Sequence, residues 1–256
     1  MEVFDITSKD NEKIKFLKKL NQKKYREQYS SFLVENFKTI TDAQQAGYRF
    51  ESLFVTDDFF SKNMKVFSSM GFDKLFKIDN NINKVFSNLD TPSGVCAVYK
   101  KQNKPADFSK PIIYLNGIND PGNLGAIIRS AIAFGLDNII VDEKCADIFN
   151  SKTINAAKDA IFKINISYDK NFDLIKELKG KMKIFSTCLE KGKGMNVLRG
   201  QKNFCLVLGS EAHGVDEKII NQSDDCIKIK MSNNIDSLNV SSAASIIFHY
   251  YYNLTK

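Results

Sequence analysis

Apolar and polar positions along the chain fall into two series separated by a proline-broken stretch. Residues 31 to 101 alternate short β-rich runs with helical patterns: "SFLVENF", "KTITDAQQAG", "SLFVTD", "FFSKNMKVFSSMG", "KLFKI", "NNINKVFSN" and, after the turn "DTPSG", "GVCAVYKK". That alternation predicts a small α/β domain over residues 1–101. The segment "KQNKPADFSKP" is polar, charged and twice interrupted by proline, so residues 102–110 read as a linker. A second series follows over 111–256, with the strand candidates "PIIYLNGI", "NIIVD", "KINISY", "KIFSTCL", "NFCLVLGS" and "CIKIKM" interleaved with helical segments and closed by the helix "SLNVSSAASIIFHYYYNL". Its strands are continuous apolar runs, the pattern of strands covered on both faces. The expectation is a parallel sheet between helix layers. No internal repeat or low-complexity segment interrupts either series.

A chain of 256 residues with 43% hydrophobic content can bury real cores. The net charge of +7 is uneven: residues 1–110 hold 19 basic and 14 acidic side chains. Much of that excess lies in "KDNEKIKFLKKLNQKKYR", where eight basic residues face Asp10 and Glu12. Such a basic helix suits a polyanion such as RNA, with Lys13, Lys18, Lys19, Lys23, Lys24 and Arg26 as candidate contacts; an ordinary solvated helix face has the same composition. Five cysteines (Cys96, Cys145, Cys188, Cys205, Cys226) are scattered, never in C-x-x-C spacing, and read as reduced core residues. With only His213 and His249 present, no histidine-based metal site is expected. No apolar run approaches the roughly 20 residues of a membrane span, and "MEVFDITSKD" lacks a signal-peptide core, which places the protein in the cytoplasm.

Ligands of open α/β sheets sit at the carboxyl ends of strands, so the loops there are where chemistry is sought. In "DPGNLGAIIRSAIAFG", Gly122 and Gly125 permit a sharp turn and close approach, Pro121 stiffens the entry, and the following helix aims free N–H groups at the corner. Arg129 is the odd residue of an apolar helix; its donors match phosphate geometry, or pair with a local carboxylate. Gly117 and Gly122 have P-loop spacing, but Asn123 and Leu124 replace the lysine and hydroxyl residue that phosphate and magnesium need. No dinucleotide G-x-G-x-x-G follows a predicted strand, and no hydrolase G-x-S-x-G occurs. In "LVLGSEAHGVDEKII" glycines bracket Glu211, and His213 decorates the turn. In "IKIKMSNNIDSLNVSSAAS", Asn233, Asn234 and Asp236 form a turn, Ser237 is a candidate helix cap, and Asn239 opens a small-residue helix.

Taken in order, "NDPGNLGAIIRSAIAFG", "LVLGSEAHGV" and "IKIKMSNNIDSLNVSSAA" closely resemble the three motifs of the SpoU (TrmH-like) RNA ribose methyltransferases of the SPOUT superfamily. The first third of the chain resembles, more loosely, the ribosomal-protein-like RNA-binding domain that precedes that catalytic domain. The resemblance implies a parallel-sheet domain with a carboxyl-terminal trefoil knot, S-adenosylmethionine as cofactor, a homodimer formed through the catalytic domain, and methyl transfer to a ribose 2′-hydroxyl. By position it assigns Asn123, Arg129, Glu211 and Asn239 to catalysis, and Gly209, Ile229 and Leu238 to the cofactor, with Met231 and Ser237 nearby and Leu208 covering its apolar parts. Lys230 stands where proline is usual, "SNN" replaces a stretch that commonly has glycine, Ser210 replaces a frequent asparagine, and Asn36 a frequent glycine.

The expected substrate is structured RNA, ribosomal RNA of the large subunit ahead of transfer RNA. A non-catalytic RNA-binding or ribosome-assembly protein of the same fold is the rival expectation. A sulfonium donor is already activated, so alignment and the handling of one proton are what the residues must supply. Arg129 is often assigned as the base in this family, yet a guanidinium gives up its proton only reluctantly, so binding a phosphate beside the target ribose is the cheaper role.

Overall fold

The computed structural model describes residues 2–71, 74–102, 104–189, 192–232, 234 and 236–256; Asn233 of the third motif therefore lies outside the described residues. The chain divides into two compact units, residues 1–102 with 149–155, and residues 103–148 with 156–256. The stretch 149–155, which the sequence pattern assigns to the second domain, groups with the first unit.

The first unit runs β1 (Glu2–Ile6), α1 (Glu12–Leu20), α2 (Lys23–Tyr29), β2 (Ser31–Val34), α3 (Phe37–Gln45), β3 (Ser52–Thr56), α4 (Asp57–Lys62), α5 (Met64–Met70), β4 (Lys74–Ile78), α6 (Asn80–Phe86) and β5 (Val95–Lys100). Its sheet has the order β1-β4-β3-β5-β2, parallel across the first three strands and antiparallel around β5. The edge strand β1 is absent from the hydropathy pattern because its apolar residues Val3 and Phe4 stay about two-fifths exposed. Main-chain pairing to β4 and stacking of Phe4 on Phe76, centroids 5.4 Å apart, hold it. Helix α1 buries Ile14, Leu17 and Leu20, one stripe at three-residue spacing, against Phe54, Phe76 and Phe86. Asn36, where glycine is common, caps α3 by accepting the Thr39 N–H at 3.0 Å.

The basic stretch Lys9–Arg26 is two helices rather than one. Arg26 is not a surface cation: it is 4% exposed, and its Nη1 donates to the Leu20 carbonyl at 2.8 Å, satisfying the carboxyl end of α1. It leaves the set of RNA contacts. Lys13, Lys18, Lys19, Lys23 and Lys24 remain exposed, and the ammonium groups of Lys19 and Lys24 lie 5.9 and 5.6 Å from the Tyr25 ring centroid.

The second unit continues with β6 (Ile112–Asn116), α7 (Pro121–Ala133), β7 (Asn138–Asp142), the end of α8 (Ser151–Ala157, whose residues 151–155 group with the first unit) leading into a 3₁₀ turn, β8 (Asn165–Asp169), α9 (Asp173–Leu178), β9 (Lys183–Thr187), β10 (Phe204–Gly209), α10 (Glu217–Ile220), β11 (Asp225–Ile227) and α11 (Val240–Leu254). All six strands are parallel in the order β11-β9-β10-β6-β7-β8. Alternate residues explain the continuous apolar runs. Ile112, Tyr114, Cys205 and Val207 join α9 and α10 residues Ile175, Leu178 and Ile219 in one core cluster, while Ile113, Leu115, Leu206 and Leu208, equally buried, face the opposite side. Helices α7 and α11 pack together, with Ser130 Oγ 2.8 Å from Ser245 Oγ. The last strand is shorter than "CIKIKM" predicts: it ends at Ile227, it is an edge strand, and Lys228 to Met231 are loop.

The connection from β9 to β10 skirts the outer edge of β11. Lys193 N–H donates to the Cys226 carbonyl and Lys228 N–H to the Lys193 carbonyl, both at 2.8 Å, while Cys188 N–H donates to Ile227 from the β9 side. Cys96, Cys145 and Cys205 are buried thiols as expected, whereas Cys188 and Cys226, beside this crossing, are only half-buried. Among the described residues no helix is long and apolar enough to cross a membrane.

One buried carboxyl in the first unit sets a pH dependence. Burial pushes the Glu35 carboxyl above its ordinary value, against hydrogen bonds from Ser87 and the Asn88 N–H, the latter at 3.1 Å. A raised folded-state value means that the neutral form is favoured by folding, and that stability falls as pH climbs through the window above the unfolded value of about 4.3. Glu35→Gln removes this dependence. Urea midpoints should show the variant gaining on the wild type as pH rises from 4.5 to 7.5; parallel curves would contradict the assignment.

Candidate active site at the carboxyl ends of the second sheet

The corner after β6 is built on a buried carboxylate. Asp142, the last residue of β7 and 5% exposed, accepts from Asn116 Nδ2 at 2.7 Å, from Gly117 N–H through both oxygens at 3.1 Å, and from Lys144 N–H at 3.1 Å. Gly117 takes φ +67°, a left-handed conformation that suits glycine and turns its N–H toward that carboxylate. Asn116 in turn accepts the Asp216 N–H at 2.7 Å, which ties the loop after β10 to the same hub. The chain then enters α7, where Asp120 Oδ1 caps the helix by accepting the Asn123 N–H at 2.7 Å and Pro121 occupies the first turn.

The loop after β10 closes on itself. Gly214 N–H donates to the Ser210 carbonyl at 2.8 Å, and Ser210 Oγ, standing where asparagine is frequent, accepts the His213 N–H at 3.2 Å. Gly209 lies so close to the returning chain that a Cβ on it would sit 2.1 Å from the Gly214 carbonyl carbon and 2.2 Å from the Val215 nitrogen.

Three of the four residues assigned to catalysis meet at this point. Asn123 Nδ2 donates to Glu211 Oε1 at 3.3 Å, Asn239 Nδ2 donates to Asn123 Oδ1 at 2.9 Å, and the Val240 N–H donates to Glu211 Oε1 at 3.1 Å. Asn239 is also the cap of α11, its Oδ1 accepting the Ser241 N–H at 2.9 Å. Each motif thus contributes one member of a single hydrogen-bonded group. Among the described residues the second Glu211 oxygen has no hydrogen bond, and the side chain is exposed. Arg129 stands apart: it is exposed on α7, pairs with no described residue and lines neither cavity of the site.

Two cavities share the wall Ser210–Gly214 with Val240. The larger, about 450 Å³, is enclosed by the ends of β9 and β10 and the loop before α11. Gly209, Ile229, Met231, Ser237 and Leu238, all anticipated from sequence, line it. Leu208 does not: it is 0% exposed and faces the core behind. Thr187, Cys188 and Leu189 also line it; the rule that sites gather at strand carboxyl ends could have drawn them from "KIFSTCL". His213 belongs to the wall common to both cavities. The second cavity, about 290 Å³, has Asn116, Asn119, Lys144 and Asp216 among its lining residues. Among the described residues no group of three or more histidine, cysteine or acidic side chains is placed to hold a metal ion.

An open parallel sheet whose terminal loops enclose an apolar cavity beside an amide-carboxylate group defines an α/β ligand-binding domain. The chain belongs to the SpoU rRNA Methylase family, which it matches over residues 110–249, and residues 11–97 match the MRM3-like substrate binding domain. It is 27% identical over 247 residues to the 23S rRNA (guanosine(2553)-2'-O)-methyltransferase RlmP of Bacillus subtilis, covering 96% of this chain and 98% of that one. Among solved structures, the AdoMet-bound rRNA methyltransferase of Sinorhizobium meliloti superposes with a TM-score of 0.83 at 24% identity over 98% of both chains. The SpoU methyltransferase AviRb of Streptomyces viridochromogenes, in complex with AdoMet, gives 0.81 at 18% identity over 96% of this chain and 98% of that one.

The Gly209 contact yields a direct test. Gly209→Ala forces the returning backbone away, an overpacking that costs about 1–3 kcal/mol. Urea denaturation should show that loss, and an unchanged midpoint would mean that the close approach is not maintained in solution.

Proposed function

We propose that the protein transfers a methyl group from S-adenosylmethionine to a ribose 2′-hydroxyl of ribosomal RNA, in the large subunit. The observation that carries this reading is the hydrogen-bonded group Asn123–Glu211–Asn239, whose Glu211 belongs to the wall shared by the two cavities. Membership of the SpoU family and the full-length likeness to a 23S rRNA 2′-O-methyltransferase support it.

The larger cavity fits the cofactor by its donor set. Apolar side chains Leu189, Ile229 and Leu238 can cover the apolar parts, and loop backbone outside any strand or helix is available to the polar ends. When bound, S-adenosylmethionine supplies a methyl carbon on a sulfonium, a leaving group that departs as a neutral thioether. The chain supplies alignment. Glu211 is held through Oε1 by Asn123 and the Val240 N–H, which leaves Oε2 to accept from the ribose hydroxyl and turn an oxygen lone pair toward the larger cavity. Asn239 fixes the Asn123 amide and thereby the orientation of the carboxylate. Arg129, which has no partner among the described residues, binds a phosphate of the RNA through its guanidinium donors rather than taking a proton.

Residues 1–101 supply substrate grip in this reading: Lys13, Lys18, Lys19, Lys23 and Lys24 are exposed, and the ammonium groups of Lys19 and Lys24 lie 5.9 and 5.6 Å from the Tyr25 ring centroid, which joins basic charge to an aromatic face. Residues 102–110 serve as the linker and 111–256 as the catalytic domain. The trefoil knot belongs to the proposal as well, supported by the β9–β10 connection that bonds along the outer edge of β11. Pairing of two copies through α7 and α11 is supported by the exposed Ile246, 39% accessible on a helix that carries the catalytic cap. The proposed compartment is the cytoplasm, where ribosomal RNA is made and assembled.

The decisive experiment incubates purified protein with labelled S-adenosylmethionine and separate ribosomal and transfer RNA transcripts, then maps the modified ribose. Label in 23S rRNA is expected; no label in any RNA moves the protein to a non-catalytic binding role. Arg129→Ala should abolish turnover, whereas Arg129→Lys should keep a measurable fraction with an unshifted pH profile; a shifted profile would restore the base role. Changing Lys18, Lys19, Lys23 and Lys24 to alanine should flatten the log-log salt dependence of RNA binding by roughly 3 units of slope, since each phosphate contact contributes about 0.7–0.9. An unchanged slope would remove that face from the RNA interface.

A further inference from the structure

The smaller cavity, about 290 Å³, shares its Glu211 wall with the larger one, so it lies against the group assigned to the ribose hydroxyl. Inside it two opposite charges stand side by side: Lys144 Nζ is 3.4 Å from Asp216 Oδ2. Both residues are anchored through their backbones. Asp142 accepts the Lys144 N–H at 3.1 Å and Asn116 accepts the Asp216 N–H at 2.7 Å. Asp216 Oδ1 is committed as the cap of α10, accepting the Lys218 N–H at 3.0 Å, which leaves Oδ2 facing Lys144. The lysine side chain is 60% exposed, so the pair is open to a ligand rather than sealed in the core. Nothing in the proposed transfer step uses either charge.

Resting on the methyltransferase reading, we propose that this cavity is the subsite for the base attached to the target ribose, and that Lys144 and Asp216 select a keto base. Guanine and uracil present a carbonyl oxygen next to a ring N–H on the Watson–Crick edge. The lysine ammonium donates to that oxygen, and Asp216 Oδ2 accepts from that N–H. Adenine and cytosine present the reverse, an amino group next to a bare ring nitrogen, which sets donor against donor and acceptor against acceptor. An ammonium has no acceptor and a carboxylate no donor, so neither group can adapt by rotating as an amide could. The Lys218 N–H holds the Asp216 carboxyl below its ordinary value against the opposing effect of burial, with Lys144 adding to the lowering, and this keeps it an acceptor at neutral pH.

The test uses the full chain with labelled S-adenosylmethionine and unmodified 23S rRNA and transfer RNA transcripts, followed by digestion to nucleosides and separation of the four 2′-O-methylated species. Label in 2′-O-methylguanosine or 2′-O-methyluridine is expected, and the chromatogram tells which of the two keto bases is chosen. Label in 2′-O-methyladenosine or 2′-O-methylcytidine overturns the base assignment while leaving the methyltransferase reading intact; no label anywhere overturns both. Lys144→Met should raise the KM for RNA about ten- to hundredfold, the range that one paired base contact commands, with the dissociation constant for S-adenosylmethionine unchanged by calorimetry. Asp216→Asn keeps an oxygen for the α10 cap and should relax the choice of base. Variants with unaltered KM and unaltered base choice would remove the pair from recognition.

Discussion

The second unit depends on a carboxylate that folding takes out of water. A buried charge is tolerable only with its lone pairs satisfied, and Asp142 meets that demand with donors from three separate positions: Asn116, Gly117 and Lys144. The consequence is geometric. The end of β6, the end of β7 and, through Asn116, the start of α10 cannot move independently, because parting any of them leaves a buried donor or the charge itself without a partner. Asn123 follows Gly117 by six residues and Glu211 precedes Asp216 by five. The hub therefore fixes both ends of the wall on which the site is built, although none of its own atoms is asked to touch the reacting groups.

The order of strands adds a second constraint. Because β10 lies between β9 and β6, the loop carrying Glu211 emerges beside the loop that opens α7, with β9 on its other flank. Loops distant in sequence become neighbours by sheet order alone, and the returning chain must then pass close to Gly209, where only a residue without a side chain leaves room. The glycine that the sequence marks as a cofactor contact is thus also required by the backbone, independently of any ligand. Its retention does not by itself argue for binding.

Much of this was legible in the sequence for a physical reason. Strands covered on both faces leave unbroken apolar runs, a capped helix leaves Asp-Pro-Gly at its start, and both signals are local. The three motif loops were readable for the same reason, and the structure joins Asn123 by hydrogen bonds to both Glu211 and Asn239. The failures are non-local. The strand β1 is held by pairing to β4 some seventy residues away and shows two exposed apolar residues where a pattern would need buried ones. Arg26 reads as one more cation in a basic run, and only the end of α1 six residues back reveals that it is a cap. Leu208 falls in a motif, but strand alternation turns it to the core while its neighbour Gly209 lines the cavity. Asp142 ends an ordinary apolar run in "NIIVD", and its partner Asn116 is 26 residues earlier.

The composition of the site bears on the kind of chemistry it can support. Its hydrogen-bonded group holds two amides and a carboxylate, with His213 in the wall common to both cavities. A reaction demanding a strong base would leave this set underpowered, since amides do not accept protons at neutral pH and carboxylates as a class are weak bases. Transfer from a sulfonium makes a smaller demand, because the leaving group is neutral and the hydroxyl loses its proton only as the new bond forms. What such a transfer requires is a lone pair held in line, and a carboxylate with one oxygen pinned and the other open is suited to that. Glu211 meets the description because its Oε1 is fixed from two sides, by the first motif through Asn123 and by the third through the Val240 N–H. The third motif acts twice, through the Val240 N–H on the carboxylate and through Asn239 on the Asn123 amide, so that the orientation of Glu211 depends on both other loops at once.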